Sequence, residues 1–106
     1  MKVFIDECID WRITRSFGEI EVRTARQMGW SELKNGRLLR EAAKQFDVFV
    51  TVDRSIEFQN NLSQIPIAVV VLIVSSNLLR TLVPLIPHVI AKLPGLVAGT
   101  VTHVGL

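Results

Sequence analysis

With 106 residues, one cysteine and a formal charge of +2, the chain is long enough for one core, cannot form an internal disulfide, and is not basic enough to announce a nucleic-acid binder by charge alone. Apolar residues make up 49% of it, which predicts a dense core and an apolar contact surface. The lone thiol fits a reducing compartment, the N-terminus lacks the pattern of a signal peptide, and "IPIAVVVLIVSS" falls short of the about 20 apolar residues that cross a bilayer; a soluble, cytoplasmic single domain over 1–106 is expected.

"KVFI" (2–5) reads as a short strand that ends in Asp6 and Glu7. "ECIDWRITRSF" (7–17) follows with apolar residues at Cys8, Ile9, Trp11, Ile13 and Phe17, a helical spacing closed by Gly18. "EIEVRTA" (19–25) alternates as an exposed strand would, and 26–36 reads as a short helix or turn and a loop. "GRLLREAAKQF" (36–46) predicts a helix with Leu38, Leu39, Ala42, Ala43 and Phe46 on one face and Arg37, Arg40, Glu41 and Lys44 on the other. "VFVTV" (48–52) is a buried strand ending at Asp53, and 54–62 a short helix. "IAVVVLIV" (67–74) is the strongest strand and runs out into Ser75, Ser76 and Asn77. The long apolar helix over 78–93 should kink or split at Pro84 and Pro87, and "TVTHV" (100–104) is a last strand.

Continuously apolar strands alternating with helical crossovers predict an α/β fold, a parallel sheet of about five strands covered on both faces. Ten of the twelve Lys and Arg and nine of the ten acids lie within residues 1–54, so the first half carries the polar chemistry. The apolar excess of 78–93 predicts a homodimer or a protein partner.

In a parallel sheet, ligands bind beyond the carboxyl ends of the strands. Asp6 and Glu7, Asp53 and Arg54, and Ser75, Ser76 and Asn77 stand at such ends, and Lys34 and Asn35 precede the 36–46 helix. Asp6, Asn35, Asp53 and Asn77 each also sit where a helix would start, and capping accounts for any one of them taken alone. Capping does not account for Glu7, nor for three carboxylates at one edge, which repel unless a cation compensates. An oxygen-rich cluster suits Mg²⁺ or Mn²⁺. His88 and His103 have no ligand spacing and read as structural. Cys8 reads as packing on the first helix, and Trp30 as cover for the core. Arg12, Arg15, Arg37, Arg40 and Arg54 are available to line a phosphate-binding surface.

The ordered set "VFIDEC", "VRTARQMGWSELKNGRLLREAAKQFDVFVTVDR", "IAVVVL" and "SSN" resembles the PIN-like family, relatives of the PIN ribonucleases found as toxins in toxin–antitoxin pairs. The resemblance implies a three-layer α/β/α fold, an acidic site holding a divalent cation, and cleavage of RNA phosphodiesters. On matching positions it makes Asp6 and Asp53 the metal-site acids with Glu7 beside them. Many relatives have an acid before the middle helix where this chain has Asn35, which leaves two or three carboxylates. The expected activity is therefore Mg²⁺- or Mn²⁺-dependent hydrolysis of RNA by Asp6, Glu7 and Asp53, with Arg54, Lys34, Asn35 and Asn77 touching substrate and an antitoxin as partner. A catalytically degraded PIN-like binding module is the alternative. A phosphoacceptor receiver-like domain would use Asp6, Glu7, Asp53 and Ser75 or Ser76, but the last strand lacks the Lys such a site sets against the phosphoryl charge.

Overall fold

The computed structural model describes residues 1–105, and of Asn35 the backbone alone. Five parallel strands form one sheet: β1 (Lys2–Ile5), β2 (Glu21–Thr24), β3 (Val48–Thr51), β4 (Ala68–Leu72) and β5 (Val101–Val104), in the order β2-β1-β3-β4-β5. Val, Ile and Phe dominate β1, β3 and β4, which are buried on both sides as central parallel strands must be. The helices are α1 (Ala25–Met28), α2 (Asn35–Ala43), α3 (Ile56–Gln59), α4 (Leu79–Leu82) and α5 (Ile86–Lys92), with 3₁₀ turns at Trp11–Phe17, Leu62–Gln64, Val83–Leu85 and Leu93–Gly95. The expected α/β/α layering is thus present. No helix among the described residues is long and apolar enough to cross a membrane.

The pleat sorts the core. Val3, Ile5, Val48 and Val50 point to one face, where Ile13 and Phe17 of the first 3₁₀ turn and Leu82, Ile86 and Val89 of α4 and α5 cover them. Phe4 and Phe49 point to the other, against Leu38, Leu39 and Ala42 of α2 and Ile56 of α3. There Phe4 meets Phe49 at 5.4 Å, Phe46 at 5.3 Å and Trp30 at 5.6 Å between ring centroids; Trp30 covers core as expected. The chain reaches β2 across the first face, returns to β3 and β4 across the second, and reaches β5 across the first again. The last crossover therefore has the opposite hand from the other three, a departure from the strong preference for one hand.

One expected element differs, and another splits where expected. The helix of 7–17 is a 3₁₀ turn beginning at Trp11, because Asp10 stops the preceding turn and caps the next by accepting from the Arg12 N–H at 3.0 Å. The helix of 78–93 is broken in three as its prolines require: Pro84 sits in the 3₁₀ turn and Pro87 in the first turn of α5. Leu82, Leu85, Ile86, Val89 and Leu93 of this stretch enter the core, while Leu78 and Val83 stay exposed.

Candidate functional site

The strand order turns around between β1 and β3, and a crevice opens there beyond their carboxyl ends. Phe4 pairs with Phe49 and Ile5 with Val50. The Asp6 N–H donates to the Val50 carbonyl at 2.9 Å, so the ladder runs on by one residue and brings Asp6 level with Thr51. Period-2 alternation then puts Asp6 on the face of Phe4, and Thr51 and Asp53 on the face of Phe49. All three reach the side covered by α2 and α3.

There they are wired together. Thr51, fully buried, donates from Oγ1 to Asp6 Oδ2 at 2.7 Å and accepts from the Asp53 N–H at 3.0 Å. Asp6 Oδ1 takes the Glu7 N–H at 2.8 Å. Asp53 Oδ1 takes the Ser55 N–H at 2.9 Å and the Ser55 hydroxyl at 2.6 Å, and among the described residues its Oδ2 has no donor. The two aspartates face a cavity of about 30 Å³ whose remaining walls include Leu38, Phe49, Gln59 and Asn60. Gly36 makes room for that wall: a Cβ there would come within 2.7 Å of Asn60 Oδ1, and Asn60 is held by its bond to the Ile56 carbonyl at 3.0 Å.

Glu7, although adjacent in sequence, turns away. It lines a second, open groove of about 640 Å³ together with Cys8, Asp10, Trp11, Arg26 and Asn77. The expected gathering of three carboxylates therefore resolves into a pair and an outlier, and no three of His, Cys, Asp and Glu among the described residues come together as metal ligands. Cys8 joins the two recesses. It lines the groove while its thiol lies 3.4 Å from Asp6 Oδ2 and 3.6 Å from Thr51 Oγ1. Partial burial of the thiol, then the charge of Asp6, push its pKa up to about 11, which disfavours the thiolate. It contacts Asp6 and Thr51 rather than packing on a helix, which corrects its expected place.

The capping explanation also separates by residue. Asp6 caps no helix, since the first turn starts five residues later at Trp11. Asp53 makes a local turn through Ser55 ahead of α3, so its Oδ1 has a structural role and its Oδ2 is left over. Asn77 donates to the Cys8 carbonyl, tying the end of β4 to the end of β1. Lys34 and Arg54 are exposed and line neither recess. The Asn35 side chain, a candidate substrate contact, lies outside the described residues. Ser75 and Ser76 line neither recess, and the Ser76 hydroxyl engages Thr81 at 2.8 Å. His103 pairs with Glu57 at 2.7 Å, and His88 is exposed.

Sequence reasoning missed Thr51, Ser55 and Asn60. Ser55 had a signal, an Asp two residues before a Ser at a strand end; Thr51 had none, being a common strand residue. No family model, no curated protein and no solved structure matches the chain.

Proposed function

We propose that the protein is a PIN-like, metal-dependent ribonuclease whose Asp6 and Asp53 hold Mg²⁺ or Mn²⁺. The observation that carries this reading is the cavity at the β1/β3 switch that Asp6 and Asp53 share, where one buried hydroxyl bonds the Asp6 carboxylate and the Asp53 backbone N–H. The donor chemistry fits: the cavity is lined by two carboxylates and by Gln59 and Asn60, whose side-chain amides carry an oxygen able to ligate a hard cation, and Mg²⁺ characteristically takes one or two carboxylates and keeps its remaining waters. A volume near 30 Å³ matches one water or a small ion.

When bound, the ion supplies charge stabilisation at the scissile phosphate and a more acidic water. Thr51 fixes the Asp6 carboxylate from behind, and Ser55 fixes that of Asp53, so Asp53 Oδ2 is presented without a reorganisation cost. Leu38, Phe49 and Ile56 keep the inner wall dry, which strengthens attraction between the carboxylates and a cation. Glu7, in the adjoining groove, is placed to act on solvent or substrate rather than inside the cavity.

The test compares melting of the parent, Asp6→Asn and Asp53→Asn with and without Mn²⁺, beside cleavage of labelled RNA in Mg²⁺, Mn²⁺ or EDTA. At a free concentration of about 100 Kd the ion should stabilise the parent by about 2.7 kcal/mol. Each variant should lose that shift and the cleavage, while its metal-free form melts no lower, since one of two repelling charges is gone. An unchanged Mn²⁺ shift in both variants overturns the assignment. A normal shift in the parent without cleavage of any RNA leaves the degraded binding module.

A further inference from the structure

The outer face of α2 breaks two rules that surface helices ordinarily keep. Lys34, Arg37, Arg40 and Lys44, all exposed, follow one another at steps of three or four residues, so each cation has another beside it, an arrangement that repels. The first turn holds no acid, although the positive end of the helix dipole favours one. Glu41, the one acid of this face, is taken by Lys44 at 2.9 Å. Among the described residues no carboxylate pairs with Arg37 or Arg40.

Two hollows flank this ladder and share Arg40 and Lys44. One, of about 400 Å³, is otherwise lined by Trp30, Leu33, Arg37 and Glu41. The other, of about 310 Å³, is otherwise lined by Ala43, Gln64, Ile65 and Pro66. Together they set three cations against one acid, over apolar side chains. Trp30 is half-buried, and its ring serves the core, 5.6 Å from Phe4 and 6.2 Å from Phe46 between centroids. The second hollow lies far from the acid pair. Ala43 closes α2 ahead of β3, and Pro66 stands just before β4, so this hollow sits at the amino ends of the strands whose carboxyl ends hold Asp6 and Asp53.

We propose that the α2 face docks an acidic amphipathic helix of a partner protein, its carboxylates on Arg37 and Arg40 and its apolar stripe over the two hollows. Charge complementarity sets the sign of the partner: carboxylates there pair with the two unmatched guanidiniums and relieve the repulsion along the ladder. The hollows set its form. A polynucleotide answers the cations but not the aliphatic walls, since its backbone is polar and its bases seek an aromatic face. A helix with apolar anchors three and four residues apart and acids beside them answers both. The inference stands apart from the ribonuclease reading, because neither hollow includes Asp6 or Asp53.

The experiment titrates the full chain into labelled synthetic peptides of about 15 residues, long enough to form a helix, and reads fluorescence anisotropy at low and high salt. The first peptide carries Leu on one face and Glu on the other. In the second Lys replaces Glu, and in the third Ser replaces Leu. The Leu/Glu peptide should bind the parent about tenfold or more tightly than either control, and salt should weaken it. Arg40→Glu puts a like charge where the two hollows meet and should weaken that binding about tenfold or more. Arg37→Glu should do likewise, and it keeps the test open if Arg40→Glu melts early. Equal binding of the Leu/Glu peptide by the parent and both variants, or equal binding of the Leu/Lys peptide, overturns the proposal. Equal binding of the Ser/Glu peptide makes the face a general polyanion patch and also overturns it. So does an oligoadenylate that displaces the Leu/Glu peptide and itself fails to bind Arg40→Glu, which gives the face to RNA. The Mn²⁺ melting shift of Arg40→Glu should equal that of the parent, and a lost shift would join the face to the acid cavity and overturn a separate site. Arg40-dependent peptide binding by a parent that neither responds to Mn²⁺ nor cleaves RNA keeps the docking face and removes the nuclease.

Discussion

The cavity and the groove lie side by side at one edge of the sheet and are built in opposite ways. In the cavity the polar atoms are tied down: Thr51 holds Asp6, Ser55 holds Asp53, and the volume is about that of one water. In the groove a tryptophan and two arginines stand in solvent, and the volume is some twenty times larger. Asp6 and Glu7 are neighbours in sequence, yet one serves each recess, because Asp6 continues the β1 ladder while Glu7 already lies in the turn that follows. The difference teaches that a pair of adjacent acids at a strand end is two separate features. One belongs to the strand's inner register and the other to the loop.

The largest stability effect that would break this contrast is expected at Thr51. Thr51→Val keeps the shape and deletes the hydroxyl that donates to Asp6 and accepts from the Asp53 N–H. Two polar groups lose their partner in a buried place, at a cost of about 1–3 kcal/mol. Urea unfolding should show a lower midpoint with an unchanged slope, and the Mn²⁺ shift should shrink. Thr51→Ser should retain the Mn²⁺ shift. A full Mn²⁺ shift in Thr51→Val would mean that the hydroxyl plays no part in holding Asp6 for the ion.

The next prediction sharpens the contrast from the groove side. Asp10 caps the Trp11 turn and is held well below its ordinary value, to about 2, by its hydrogen bonds to Arg12. A carboxylate whose folded pKa is depressed contributes stability above its unfolded value, and that contribution is lost as pH falls through the folded one. Asp10→Asn keeps a capping oxygen and removes the charge. Parent and variant should therefore differ slightly at neutral pH, in favour of the parent, and converge as pH falls from about 4 to about 2. Melting curves across that range check it, and a difference that widens toward acid would reverse the sign of the argument. The Mn²⁺ shift should be the same in both proteins, because Asp10 lies on the groove.

Much of this arrangement was legible from residues. The apolar runs 2–5, 48–52 and 67–74 predicted three central parallel strands, and the structure places β1, β3 and β4 within them. Asp6 and Asp53 were legible as strand-end acids. Their partnership was not, since it depends on the pairing of Phe4 with Phe49, and alternation tells which face a side chain takes but not which residues of two parallel strands stand opposite. Trp11 was misread as part of a buried helix face. The spacing of Ile9, Ile13 and Phe17 fits an α-helix from residue 7, but Asp10 restarts the turn and swings Trp11 outward. The hand of the last crossover was equally hidden, because an apolar helix such as 78–93 can cover either face of the sheet.

The smallest expected effect lies outside both recesses and serves as their control. Glu41 stands on the outer face of α2, where it pairs with Lys44 at 2.9 Å. An acid on the helix after Asn35 could have substituted for the carboxylate that position lacks, in which case Glu41→Ala would abolish the Mn²⁺ shift. The helical phase argues otherwise. Leu38, Leu39 and Ala42 of α2 face the core, and of these Leu38 lines the cavity, while Glu41 shares a separate surface hollow with Arg37, Arg40 and Trp30. A solvent-facing pair three residues apart contributes only about 0.2–0.5 kcal/mol. Glu41→Ala should therefore change stability by no more than that and leave the Mn²⁺ shift and cleavage at parental values. A lost Mn²⁺ shift in this variant would place the third ligand on α2 and redraw the cavity around it.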